Sequence, residues 1–212
     1  MKKPVILLGS GGHAKVLLSM LRRCDFEVIG IADPARVVGE HWLGCEILGD
    51  DLAVQAFSHK EVVLVNGIGS LPRDGGLRRK LFDRFTAEGY LFQTVLDPSA
   101  LVVDQAGLAT GVQIMAGAVV QIGAQIAENC VINSGAIIEH DCRIGRHVHI
   151  APGVVISGGV EVGDDVHIGT GAVLIQGLRI GKGSVIGAGS VVTRDVGERQ
   201  IVYPSRPQIQ DL

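Results

Sequence analysis

His140 and Asp141 stand side by side, a pairing in which an imidazole can take a proton near neutral pH while a carboxylate orients its ring. Eighteen residues on lies Gly158-Gly159, bare backbone with room for a thin ligand and N–H groups suited to a developing oxyanion. Near the start, Gly9-x-Gly11-x-x-Ala14 with Asp33 about twenty residues later meets the dinucleotide fingerprint loosely. Such glycines let a helix N-terminus approach a phosphate, and the acid at the next strand end can hold a ribose or base. A tight strand-to-helix turn without a ligand is the alternative. His140, Asp141, His147, His149 and His167 also raise a metal site, with His149 and His167 eighteen apart; on balance no metal is expected. Cys24, Cys45, Cys130 and Cys142 form no C-x-x-C pair and read as reduced and structural.

The positioning of His140 follows from a six-residue clock. Leu96, Val102, Leu108, Ile114, Val120, Ile126, Ile132, Ile138, Ile144, Ile150, Ile156, Val162, Ile168, Leu174, Ile180, Ile186 and Val192 form an unbroken apolar series. One hexad position is repeatedly Gly (111, 117, 123, 135, 153, 159, 171, 177, 183, 189) and otherwise mostly Asn129, Asp141 or Asp165, types that tolerate positive φ. Short strands joined by left-handed corners, three to a turn, predict a triangular parallel β-solenoid of about five coils over residues 96–191. Positions 18 apart then stack on one edge, so His140-Asp141 falls between Ile122-Gly123 and Gly158-Gly159, with Gln176-Gly177 beyond. Spacing alone leaves a solvated surface pair as the alternative to a catalytic one.

The first 95 residues read differently. Pro4 to Leu8, Glu27 to Ala32 and Val62 to Val65 predict strands, and Ala14 to Arg23 and Leu77 to Gly89 predict helices. This is an α/β Rossmann-like βαβ domain, with ligand space at its strand C-termini and no second half for a bound NAD. The expected organisation is 1–95 as this domain, 96–195 as the solenoid and 196–212 as a tail. Net charge −3 without a basic run gives no reason for nucleic acid or a membrane surface as partner. The apolar stretch after Met1-Lys2-Lys3 stops at Gly9, too short for a signal h-region or a span, so a cytoplasmic location is expected.

Taken together, Gly9-Ser10-Gly11-Gly12-His13-Ala14-Lys15-Val16, Asp33-Pro34, and a hexapeptide solenoid carrying Ile138-Glu139-His140-Asp141-Cys142 resemble one family over nearly the whole chain. It is the nucleotide-sugar and sialic acid acetyltransferases of the left-handed parallel β-helix (hexapeptide repeat) class, including bacillosamine and perosamine N-acetyltransferases of bacterial glycan synthesis. The resemblance implies His140 as catalytic base supported by Asp141, with acetyl-CoA as co-substrate. It further implies His149 in contact with the coenzyme, Gly158 against the thioester, Thr170 and Ala188 along the coenzyme groove, and Asn133 near the acetyl end. Arg194 would meet a coenzyme phosphate. Gly11, Gly12, His13, Asp33 and Gly69 would bind the nucleotide-sugar, with Arg78 a further candidate for its phosphates.

His149 lies half a coil from His140, so both reach one site only across subunits, as in a homotrimer. The expected reaction is direct transfer of acetyl to the amine of a UDP- or GDP-linked 4-amino-4,6-dideoxy sugar. O-acetylation of a sialic acid and a non-enzymatic sugar-nucleotide binding module are the other readings. The chain departs from the family pattern at Asp97-Pro98-Ser99-Ala100, where His-Pro-Ser-Ala is common. It departs again at Tyr203-Pro204-Ser205-Arg206-Pro207, where Gly-x-Pro-Ala is usual.

Overall fold

The computed structural model describes residues 2–72 and 76–204. The chain divides into two compact units: Met1–Pro98 with Ala109–Gln113, and Ser99–Leu108 with Ile114–Leu212. The expected tail falls partly outside the described residues, as do Ser205, Arg206 and Pro207.

In the first unit the unbroken apolar run of β1 (Val5–Leu8) is fully buried, as a strand covered on both faces requires. Around it form α1 (Gly12–Arg23), β2 (Val28–Ala32), β3 (His41–Trp42), β4 (Cys45–Gly49), a 3₁₀ turn (Asp51–Ala56), β5 (Val63–Asn66) and α2 (Leu77–Ala87). The sheet order is β3-β4-β2-β1-β5, with β1, β2, β4 and β5 parallel and β3 antiparallel to β4. α1 buries Leu17, Leu18, Met20 and Leu21, and α2 buries Leu81, Phe82 and Phe85. The hairpin β3-β4 was not expected from the sequence. Its two-residue turn, Leu43-Gly44, has φ of 49° and 80°, as a type I′ turn demands, but leucine is not the Asn or Asp that signals one.

The second unit is a three-sided solenoid. One sheet stacks Leu101–Val102, Val119–Val120, Ile137–Ile138, Val155–Ile156, Val173–Leu174 and Val191–Val192. A second stacks Gly107–Leu108, Gln125–Ile126, Arg143–Ile144, Glu161–Val162 and Arg179–Ile180. The third includes Val131–Ile132, His149–Ile150, His167–Ile168, Val185–Ile186 and Ile201–Val202. Pairing is parallel and advances 18 residues per rung, as in Ile138↔Ile156 and Ile150↔Ile168. The hexad series fills the lumen from Ile114 to Val192. Its first members depart from expectation: Leu96 is exposed, and Val102 and Leu108 are only half-buried. Val95 takes the buried place at the first of these, and the opening coil has a neighbouring rung on one side only.

The corners explain the glycine spacing. All ten corner glycines have φ near +70°, and Asn129, Asp141, His147 and Asp165 take the same conformation at φ of 57–60°. That region costs a residue with a Cβ roughly 1–2 kcal/mol, least for Asn and Asp, so glycine dominates the position.

Candidate active site

His140 and Asp141 occupy such a corner. The rung order expected from the sequence holds, because Asp141 N–H donates to Ile122 O, Gly159 N–H to His140 O and Gly177 N–H to Gly158 O, at 2.9–3.1 Å. His140 Nδ1 lies 2.9 Å from Asp141 Oδ2. A carboxylate only accepts, so Nδ1 carries a hydrogen, and in the neutral ring the lone pair is then on Nε2. The dyad is open to a ligand, with side chains 52% and 73% exposed.

Two glycines cradle the pair. A Cβ on Gly158 would sit 2.5 Å from His140 Nε2 and 2.6 Å from Cε1, so the imidazole rests on this bare backbone. On the rung before, a Cβ on Gly123 would strike the Asp141 carboxylate. The ledge beside His140 is therefore partly filled by its own ring. Ser157 N–H to Leu174 O and Gly159 N–H to His140 O, 3.0 and 2.9 Å, fix the Gly158 peptide from both sides.

Other residues singled out from the sequence separate onto distinct parts of the solenoid. Arg194, exposed, is 18 residues beyond Gln176 in the numbering of the His140 edge and lines a cavity of about 700 Å³ with Val192, Asp195 and Gln200. Thr170 and Ala188 share a different edge, where Gly189 N–H donates to Thr170 O. Asn133 begins the corner there, its Oδ1 accepting from Ser134 N–H at 2.9 Å. His149 stands on the third sheet, opposite the His140 edge, stacked on His167 with ring centroids 4.8 Å apart and planes within 8°. One chain thus brings His140, Asp141 and Gly158 together and leaves His149 apart. Among the described residues no group of three or more His, Cys, Asp or Glu is placed to hold a metal ion.

The first unit builds a second locus at the strand C-termini. α1 starts at Gly12, one turn-residue pair earlier than read from the sequence, because Gly11 in extended conformation serves as its N-cap. No side chain caps its first N–H groups, and a Cβ on Gly11 or Gly12 would meet nothing within 4 Å, so there is room beside this turn. Gly67 lies so near that a Cβ on it would be 2.5 Å from Leu8 O and 2.9 Å from Ala14 Cβ, which accounts for glycine at 67.

Asp33 closes this turn from the side. Oδ2 accepts from Ser10 N–H and Oγ at 2.8 and 2.5 Å, and Oδ1 from Ala35 N–H at 2.8 Å. Burial alone would raise its carboxyl, but those hydrogen bonds and the Arg36 charge hold it below the ordinary value. Arg36, not singled out from the sequence, reaches Ser10 Oγ with Nε at 3.1 Å. It also lines an open recess of about 580 Å³ with Val38, Leu48, Asp50 and Leu52. The signal for it was a cation three residues after the acid that ends β2. Arg78 is placed behind the site: 5% exposed, its Nη1 donates to Asn66 O and Ile68 O, so it braces the loop leading to Gly69.

His13 is 2.8 Å from Gln113 through Nε2, and Gly69 packs beside its Cβ. Burial, then the Arg78 charge, lower the His13 pKa to about 4 against the opposing pull of the Gln113 hydrogen bond. Gln113 occupies a hexad strand position, and nothing in its spacing marks it as a partner of His13.

An imidazole–carboxylate pair on the edge of a hexapeptide solenoid, joined to an α/β unit with an open glycine turn, defines an acyltransferase class, and the comparisons agree. Residues 123–158 and 159–194 match the family described as bacterial transferase hexapeptide (six repeats), and residues 4–85 match the PglD N-terminal domain. PerB from Caulobacter crescentus, solved with CoA and GDP-perosamine, is 36% identical over 93% of this chain and 92% of that chain, with a TM-score of 0.85. Structures of that enzyme with a histidine replaced by asparagine or alanine match at the same identity. The acetyltransferase domain of PglB from Neisseria gonorrhoeae FA1090, solved with acetyl coenzyme A, is 27% identical over 98% of this chain and 100% of that one, with a TM-score of 0.88. WeeI from Acinetobacter baumannii AYE, 22% identical over 93% and 95% with a TM-score of 0.82, shares the fold. No curated protein sequence matches the chain. The chain belongs to the left-handed β-helix nucleotide-sugar N-acetyltransferases, an acetyl-CoA-dependent family, and is an acetyltransferase. No helix among the described residues is long and apolar enough to cross a membrane.

Proposed function

We propose that the protein transfers acetyl from acetyl-CoA to the amino group of a UDP- or GDP-linked 4-amino-4,6-dideoxy sugar in bacterial surface glycan synthesis. The carrying observation is the His140 imidazole, oriented through Nδ1 by Asp141 and resting through Nε2 on the Gly158 backbone. His140 Nε2 takes a proton as the amine nitrogen attacks the thioester carbonyl. Gly158 N–H stabilises the tetrahedral oxyanion, the C–S bond breaks, and the coenzyme leaves as thiolate, which takes up a proton. Direct transfer is favoured over a covalent route because Cys142, next to the dyad in sequence, is fully buried with its thiol pushed up by burial.

In this reading Asn133, His149, Thr170, Ala188 and Arg194 line the coenzyme site. Their distribution over two edges and a face supports a homotrimer with sites between subunits, because His149 of one subunit can then approach His140 of the next. The uncapped start of α1 at Gly11, Gly12 and His13 takes the diphosphate, Asp33 and Gly69 flank it, Arg78 acts through the loop it braces, and the recess beside Arg36 has room for the base. Residues 1–95 would thus bind the nucleotide-sugar, residues 96–195 carry the transfer, and 196–212 form the tail, in a cytoplasmic protein.

The test is thiol release from acetyl-CoA with GDP-perosamine and a UDP-4-amino sugar as acceptors. Wild type turns over at least one of them, and His140→Ala loses about 10²-fold or more in kcat; near wild-type turnover by the variant removes the base assignment. Light scattering on the intact protein checks the trimer.

A further inference from the structure

The His13 contact carries more than a place on the map. Gln113 is 1% exposed, and both ends of its carboxamide are committed: Oε1 faces His13 Nε2 at 2.8 Å, and Nε2 donates to Asn66 O at 2.8 Å. Asn66, also 1% exposed, donates from Nδ2 to Arg78 O, while Arg78 Nη1 donates back to Asn66 O, each at 2.9 Å. Asn66 O can only accept, so the Gln113 amide cannot be flipped without setting two acceptors face to face. Its oxygen must therefore point to His13, and His13 Nε2 must carry the hydrogen.

That chain of constraints fixes a tautomer. With Nε2–H donated to Gln113, Nδ1 is the ring's acceptor, on a side chain that keeps partial exposure in the first turn of α1. The charge bearing on His13 is that of Arg78, from α2 packed behind it, and it opposes protonation, as does burial. A ring held neutral in this way cannot serve as a cation for phosphate; it can accept a hydrogen bond. Resting on the nucleotide-sugar reading above, we propose that Gln113 is a positioning residue which fixes His13 in its Nε2–H tautomer and so presents Nδ1 as an acceptor for a hydroxyl or N–H group of the bound nucleotide-sugar.

Long-range proton–nitrogen NMR on the wild-type protein should show His13 as the neutral Nε2–H tautomer at pH 6. A ring that titrates to imidazolium with a midpoint near 6.5 overturns the proposal. The functional arm is calorimetric binding of GDP and UDP between pH 8 and 5.5. The wild-type Kd stays flat, whereas Gln113→Glu, which faces the ring with a carboxylate and favours the two-donor imidazolium, weakens roughly tenfold as pH falls. His13→Asn, whose Oδ1 stands near the Nδ1 position, should bind within about threefold of wild type, and His13→Ala should lose roughly tenfold. Gln113→Glu that stays flat, or His13→Asn no better than His13→Ala, overturns the role assigned here while leaving the nucleotide site standing. Wild type that binds neither nucleotide removes that site and this inference with it.

Discussion

Gly158→Ala isolates the geometry on which the reaction depends. The added methyl would lie 2.5 Å from His140 Nε2 and 2.6 Å from Cε1, where ordinary contact begins near 3.4 Å, so the ring must retreat by about 1 Å. Gly158 φ lies outside the left-handed range, so alanine adds no backbone strain there, and a Gly→Ala change at such a position tends to stabilise by ~0.4–1 kcal/mol. The fold should survive with an unchanged or slightly raised Tm. A retreat of this size either breaks the 2.9 Å bond to Asp141 or swings Nε2 off the ledge, and misplacement by 1 Å costs on the order of 10²-fold in rate, about 2.7 kcal/mol. Steady-state thiol release would measure kcat for Gly158→Ala, His140→Ala and the double variant. If alanine acts through the imidazole, the double variant is no slower than His140→Ala alone. Additive losses would refute the reasoning and put the effect of Gly158 on the thioester alone; so would a kcat within about threefold of wild type.

Asp141→Asn should keep the fold and lose roughly 10- to 100-fold in kcat, since an amide can present its N–H to Nδ1 and select the wrong tautomer; steady-state rates decide this. His13 predicts an acid limit. Its pKa falls from 6.5 unfolded to about 4 folded, so below 6.5 the unfolded chain binds more protons, and stability is lost as pH drops through that window, by up to roughly 3 kcal/mol. Denaturant midpoints between pH 7 and 4 should show this, and His13→Gln should remove most of it. Ile150→Ala, inside the lumen and fully buried, should cost about 2–5 kcal/mol by chemical denaturation without moving the acetyl-CoA KM beyond what unfolding explains.

The solenoid was legible because its constraint is periodic. A lumen that admits one apolar side chain every sixth residue and a corner that needs positive φ leave marks that no local accident erases, and even Asn129, Asp141 and Asp165 could be read as corners. The dyad was legible for the same reason, since stacking by 18 follows from the period. What lay over each glycine was not. Gly123 is written like the open Gly117 and Gly135, and although the period stacks His140-Asp141 between Gly123 and Gly158, only the structure shows the carboxylate and the imidazole resting on those two glycines. Gln113 was hidden by its own regularity, because a residue in strand register gives no hint that it groups with the first unit. Arg78 looked like a phosphate ligand because a sequence shows charge but not burial.

The rung spacing makes the His140 edge a ruler, with divisions set by hydrogen-bonding distance instead of side-chain choice. Duplicating residues 159–176 would leave the prism's cross-section untouched and move Arg194 about 4.8 Å farther from His140. An insertion of six or twelve would carry all that follows onto another side. Reach along this edge can therefore change only in whole coils, and a library of such duplications would grade enzymes by the length of donor arm they accept.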